Sequence, residues 1–180
     1  QDRHIVIYYV TRRRDEVYFV TSQPEKADWI TKESWSTKGD LEELRASFES
    51  FHPDVRALLA SAPDVHKWGI FEREPLPTWR RGRVVLLGDA CHPMTPYMAS
   101  GAAMALEDAA VLSRCVQEEG ISRPEELFAR FEATRKPRTS QVQSGSSANT
   151  WMRSQTDPDW LYGYDAWSAP LAGRQDMGEG

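Results

Sequence analysis

Two runs rich in β-branched and aromatic residues, His4 to Val10 and Glu16 to Thr21, flank the charged segment Arg12-Arg13-Arg14-Asp15. That pattern predicts two strands joined as a hairpin with its charges in water. Side chains repeat every second residue along a strand, so His4, Val6, Tyr8 and Val10 share one face and Ile5, Ile7 and Tyr9 the other. After a polar loop the spacing becomes helical. Asp40 with Glu43 three residues on forms a capping box ahead of Leu41, Leu44 and Phe48. Pro53 in a first-turn position, followed by Val55, Leu58 and Leu59, predicts a second helix that ends before Pro63.

Strand-like runs return at Val65 to Phe71 and at Val84-Val85-Leu86-Leu87, the latter of the kind buried on both faces of a sheet. Gly88-Asp89 ends it, and a loop stiffened by Pro93 and Pro96 leads to Gly101. Beyond it, Ala102, Ala105, Leu106, Ala109, Leu112 and Val116 predict the buried face of a helix. Ser122-Arg123-Pro124-Glu125 reads as a capping box with proline near the helix start, and Leu127, Phe128 and Phe131 carry a long final helix. Pro137 should kink or end it. From Trp151 the tail is rich in Trp, Tyr, Asp, Pro and Gly with little periodicity, which predicts irregular structure laid over a surface. No internal repeat or low-complexity block interrupts the 180 residues.

Composition narrows the function classes. A formal net charge of -5 and a pI near 5.4 argue against a nucleic-acid partner, which normally meets a basic patch. The longest apolar runs fall far short of the roughly 20 residues that span a bilayer, so no membrane role is expected. Two cysteines, Cys91 and Cys115, and no secretory segment point to a reduced, cytoplasmic setting. The strand-forming run at His4 needs neighbours to pair with, so the chain reads as starting in the middle of a fold.

The chemistry concentrates in Leu86-Leu87-Gly88-Asp89-Ala90-Cys91-His92-Pro93-Met94. Such a strand delivers Asp89 at its carboxyl end, where ligands of open α/β sheets bind, and Gly88 permits close approach of backbone or ligand. Asp89 can there accept hydrogen bonds from sugar-like hydroxyls. The small residues Ala99, Ser100, Gly101, Ala102 and Ala103 let a flat ring pack at a helix N-terminus, whose unpaired N–H groups favour an anion.

The string Gly88-Asp89-Ala90-Cys91-His92-Pro93-Met94-Thr95-Pro96, followed by Gly101, Ala105 and Glu107-Asp108-Ala109, resembles the second flavin motif of the class A FAD-dependent aromatic hydroxylases, the group containing salicylate and p-hydroxybenzoate hydroxylases. The resemblance implies an α/β (mixed α+β) chain, the C-terminal part of a two-domain fold. Residues 1–78 would then be part of a substrate-binding domain, 79–150 the helices that close the FAD-binding domain, and 151–180 an irregular tail. It implies that Asp89 binds the ribityl chain of FAD, that Pro96 lies beside the flavin ring, and that Gly88, Ala99, Gly101 and Ala102 complete the cofactor wall. Ala99 and Ser100 depart from the Gly and Gln of many members, which puts direct contacts from Ser100 in doubt.

Further segments, including Asp2-Arg3-His4 before Tyr8-Tyr9, Leu76-Pro77 before Trp79 and Ala148-Asn149-Thr150-Trp151, resemble the branch of that family that hydroxylates 6-hydroxynicotinate. This implies NADH and O2 as co-substrates, a small aromatic acid as substrate, and loss of its carboxylate as CO2. His4 and Tyr8 match positions that contact the substrate, and imidazole has the right ordinary pKa to manage a ring-hydroxyl proton near neutral pH. Salicylate-type hydroxylation is the alternative. No Gly-x-Gly-x-x-Gly follows a strand here, so association with a missing N-terminal half, a homodimer, or a catalytically silent fragment also follow from the pattern.

Simpler readings stand beside these. A Gly-Asp after a strand is an ordinary turn, and His4 with Tyr8 suits a half-buried sheet face. Cys91-His92 lacks further ligands at zinc spacing. Glu107-Asp108 reads as a pair of acids that helps a helix dipole, and Arg135, Lys136 and Arg138 as a solvated face.

Overall fold

The computed structural model describes residues 3–24, 37–67, 69–70, 73–148 and 158–176. It divides into two compact units, 1–69 and 70–180.

In the first unit, β1 (His4–Tyr9) pairs antiparallel with β2 (Val17–Ser22). The turn between them is exposed, as its charges predict, and Arg14 takes a positive φ of 59° to close it. The register places Ile5 opposite Thr21 and Ile7 opposite Phe19 on one face, and His4 opposite Ser22 and Tyr8 opposite Tyr18 on the other. Ile5 and Phe19 pack on the cluster Leu44, Phe48 and Leu59. That cluster comes from α1 (Leu41–Ser47), its capping residue Phe48, and α2 (Pro53–Ser61). Asp40 caps α1 as the capping box predicts, accepting from the N–H groups of Glu42 and Glu43 at 2.8 and 3.2 Å. The strand expected from Val65 to Phe71 reduces, among its described residues, to one bridge between His66 and Lys38. Among the described residues two backbone bonds, Gly39 N–H to Val65 O and Lys67 N–H to Thr37 O, hold it, too few for a ladder.

In the second unit, β3 (Arg80–Arg81) and β4 (Val84–Val85) form a two-residue ladder about Gly82. The run Val84 to Leu87 is therefore not a strand buried on both faces. Val84 is 63% exposed, because no other described strand flanks it. Helix α3 (Gly101–Glu119) packs against α4 (Pro124–Ser147), and the two carry the main core with Trp79, Cys91, Val111, Cys115, Leu127 and Phe131. Burying each large apolar side chain of this kind stabilises about 1.5–3 kcal/mol.

Which face of α3 is buried differs from the expectation. Met104, Asp108, Val111 and Cys115 point inward, while Ala102 and Ala109 are exposed and Leu106 is 73% exposed. The alanine-rich helix carries two apolar stripes, and the larger Met104, Val111 and Cys115 give the closer packing. At α4, Pro124 occupies the first turn but Ser122 makes no cap; Arg123 holds the capping position without a side-chain bond. Pro137 does not end the helix, which runs ten residues further. Burial of Thr139, Val142, Gln143 and Ser146 beyond it outweighs the ~3 kcal/mol that an interior proline costs.

The described tail, 158–176, contains the short α5 (Asp159–Tyr162) and a single 3-10 turn at Arg174–Asp176, and is irregular between them, largely as expected. Its backbone is held by arginines. Arg114 of α3 donates to the carbonyls of Ala166 and Ala169, both at 2.8 Å. From α4, Arg130 reaches Ala172 O and Arg138 reaches Trp160 O and Leu161 O. No described helix is long and apolar enough to cross a membrane.

Candidate functional site

The apolar run ends at Leu87, and Gly88–Ala90 folds as a single 3-10 turn. Gly88 sits at φ +55°, a conformation open to glycine, and a Cβ there would meet the Cβ of Ala105 on α3 at 3.2 Å. The close approach that Gly88 permits is thus to a helix, and Gly88 itself is buried outside the cavity wall. Asp89, next in sequence, is exposed and leans toward the start of α3; its Oδ1 lies 3.9 Å from where a Cβ on Gly101 would be.

The loop after it is tied to α4. Ser146 Oγ donates to Thr95 O at 2.6 Å, and Gln143 Nε2 donates to Pro93 O at 2.9 Å. A second 3-10 turn, Pro96–Met98, ends on Ala99 in the left-handed region at φ 48°, ψ 31°. Ser100 then donates its hydroxyl to Met98 O at 2.7 Å instead of capping α3. The first-turn N–H groups of α3 consequently carry no side-chain cap.

These segments enclose a hollow of about 440 Å³. Five of the six cofactor residues expected from sequence, Asp89, Pro96, Ala99, Gly101 and Ala102, line it, with Met94, Thr95, Ser100 and Ala105 completing the wall. One carboxylate, a helix start and otherwise small or apolar side chains suit a flat ligand that bears hydroxyls and partial negative charge. A hollow of similar size in the first unit, between residues 38–41 and 63–65, has its Asp40 already engaged as a helix cap.

Behind the hollow lies a charge network whose arginines were expected in solvent and whose acids were expected at a helix start. Arg135 is fully buried, and Asp108 and His92 are each about 1% exposed. Asp108 accepts from His92 Nε2 at 2.6 Å, from Gly88 N at 3.1 Å and from Arg135 Nε at 2.7 Å. Glu107 meets Arg135 at 2.8 Å and takes a two-pronged contact from Arg138 at 2.8 and 2.9 Å. Arg138 also stacks 4.0 Å from the Tyr164 ring centroid. Neither acid is in the first turn of α3, so neither serves its dipole. Burial pushes the Asp108 carboxyl up, but hydrogen bonds from His92 and Arg135 prevail and hold it below the usual range.

Cys91 Sγ joins His92 and Asp108 within 4.8 Å. Burial, with the Asp108 charge beside it, pushes this thiol up to about 12, and it donates to Gly88 O. A neutral thiol and a carboxylate already shared by a guanidinium are poor metal ligands.

His4 and Tyr8 lie in the first unit on the hairpin face turned away from its core, as alternation predicts. Tyr8 is 49% exposed with its ring 5.4 Å from that of Tyr18, and burial lowers the His4 imidazole from its ordinary value.

The sequence profile of the family described as FAD binding domain matches residues 2–146. The chain belongs to that family. It is 49% identical over 170 residues to a 6-hydroxynicotinate 3-monooxygenase of Bordetella bronchiseptica (strain ATCC BAA-588 / NCTC 13252 / RB50), covering 94% of the chain and 44% of that relative. A solved salicylate hydroxylase substrate complex matches with a TM-score of 0.75 at 24% identity, over 92% of this chain and 46% of the other. The crystal structure of CtdE in complex with FAD matches at 0.74 and 22%, over 93% and 43%. At those identities the two structures establish the fold, a mixed helix and strand region that spans under half of each matched protein. The hollow's donor set fits a flavin: a carboxylate for ribityl hydroxyls, small residues for the ring, and an uncapped helix start for negative charge.

Proposed function

We propose that this chain forms one wall of the flavin site in a longer NADH- and O2-dependent monooxygenase, and that the substrate is 6-hydroxynicotinate. The observation that carries the proposal is the gathering of Asp89, Pro96, Ala99, Gly101 and Ala102 around one hollow at the uncapped start of α3. The 49% identity to a 6-hydroxynicotinate 3-monooxygenase supports the choice of substrate.

Bound FAD would supply the oxygen-activating chemistry, while the protein orients, excludes water and manages protons. Asp89 would accept hydrogen bonds from the ribityl chain. The first-turn N–H groups of α3 would stabilise negative charge on the reduced ring. Pro96 and Ala99 would pack beside the ring. His4, whose imidazole burial lowers from its ordinary value, accepts the proton of the substrate's ring hydroxyl, and Tyr8 contacts the substrate. In the balanced reaction one O2 atom enters the ring at the carboxylate-bearing carbon. The other leaves as water with the hydride from NADH and one proton, a second proton completes the new ring hydroxyl, and CO2 departs, leaving 2,5-dihydroxypyridine.

The test uses the full-length protein. NADH oxidation and CO2 release are compared with 6-hydroxynicotinate and salicylate; turnover coupled to CO2 with the first alone upholds the assignment, and preference for salicylate moves the substrate. His4→Ala should retain FAD and lower coupled hydroxylation, and unchanged turnover sinks the role of His4. Asp89→Ala should weaken FAD retention.

A further inference from the structure

We infer that Asp108 is a positioning residue for Asp89, clamping both ends of the turn that carries it. The inference rests on the reading of the hollow as a flavin wall and adds what holds that wall in shape. Asp108 stands seven residues after Gly101, about two turns along α3. One rigid helix therefore carries both the first turn that lines the hollow and the carboxylate behind it. Its Oδ2 accepts the Gly88 N–H at 3.1 Å and the His92 Nε2 at 2.6 Å. Gly88 and His92 bracket Asp89, so a single oxygen holds the turn on either side. The turn also closes on itself, with the N–H groups of Cys91 and His92 both donating to Gly88 O at 3.0 Å.

Arg135 keeps the clamp in place. Its Nε donates to Asp108 Oδ1 at 2.7 Å, and its NH2 reaches Met104 O at 3.3 Å, one turn earlier on α3. Neither Asp108 nor Arg135 lines the hollow. Their effect on a ligand therefore passes through the Gly88–Ala90 turn, and the exposed group on that turn facing α3 is Asp89. With Asp108 ionised, Nε2 is the protonated nitrogen of His92, which leaves its buried Nδ1 without a partner among the described residues. The imidazole is thus oriented by Asp108 alone among its hydrogen-bonding neighbours.

The experiment compares wild type, Asp108→Asn, Asp89→Asn, the double variant and Arg135→Lys in the full-length protein. Asp108→Asn keeps the volume and one acceptor oxygen but removes the charge; Arg135→Lys is the milder variant should the first fold poorly. Amide hydrogen exchange is read in the FAD-free protein, and FAD affinity by fluorescence. The expected result is exchange about tenfold faster at residues 88–92 in Asp108→Asn, with the remainder of α3 unchanged. Arg135→Lys should give the same pattern at smaller amplitude. FAD binding should weaken about tenfold in each Asp variant, and the double variant should be no worse than about threefold below the weaker single, since one acts through the other. Unchanged exchange at 88–92, exchange raised across the whole unit, or fully multiplicative losses of affinity would each overturn the inference. Failure of the wild type to retain FAD would sink the flavin reading and the affinity half of the inference, while the exchange data still decide whether Asp108 sets the turn.

Discussion

His92 Nε2 and Asp108 Oδ2 lie 2.6 Å apart, joined where neither side chain is more than about 1% exposed. On the other side of the same carboxylate is the fully buried guanidinium of Arg135. Replacing Asp108 with Ala leaves that cation without its closest counter-charge, a change that costs about 3–5 kcal/mol in buried pairs. Glu107, 2.8 Å from the same guanidinium, holds the cost toward the lower end. Urea unfolding of wild type and Asp108→Ala measures it, and a loss below about 1 kcal/mol would contradict the network's importance.

Acid acts on the two units through different groups. The Asp108 carboxyl is held below its ordinary value in the fold, so the unfolded chain binds a proton first as pH falls. Its contribution is complete above about pH 3.9 and is lost below that, through the depressed folded value. The His4 imidazole is lowered by burial, so again the unfolded chain takes the proton first, and stability falls as pH drops from about 6.5 through the folded value. Denaturant midpoints between pH 8 and 3 should decline in both windows. His4→Gln should flatten the upper window and Asp108→Asn the lower; an unaltered slope in either variant counts against that group.

Both cysteines should be chemically silent in the fold. Burial pushes Cys91 up to about 12 and Cys115 up to about 11, and both are fully buried. The thiolate is the reactive form. At pH 8 a thiol reagent should label neither in native protein and both after denaturation, read by intact mass; rapid native labelling of either would refute the burial.

Ala99 holds a left-handed backbone at φ 48° on the rim of the hollow. An L-residue with a Cβ is strained there by about 1–2 kcal/mol, part of which glycine gives back in backbone entropy. Ala99→Gly should therefore stabilise the second unit by about 0.5–1 kcal/mol in a thermal melt. A lowered midpoint would mean that the methyl group packs more usefully than its geometry suggests.

The hairpin, the Asp40 cap and the rim of the hollow were legible in the sequence because each is a local matter of alternation, capping chemistry or a glycine-proline loop. The buried face of α3 was not. Asp108 interrupts the stripe of Met104, Val111 and Cys115, and an apolar pattern search follows Ala102, Leu106 and Ala109 instead. Arg135 was hidden the same way, although it falls four residues from both Phe131 and Thr139 in a spacing that continues the buried stripe of α4. Two opposite charges occupying the inward positions of neighbouring helices were the available signal. The run Val84 to Leu87 shows the converse limit: apolar residues state that a strand can be covered, and only neighbours in space cover it.

The arginines that hold the tail grip carbonyl oxygens at residues 160, 161, 166, 169 and 172, with no side chain of the tail among those five acceptors. Every residue offers such an oxygen, so these contacts are blind to the letters written in the tail. Arg114, Arg130 and Arg138 carry part of the instructions for its path, beside the tail's own Leu161, Tyr164 and Ala166, which pack on the core. At residues 169 and 172, which are only half-buried, the tail can drift in sequence without leaving its track, whereas Leu161 and Ala166 are fixed by burial as well as by grip.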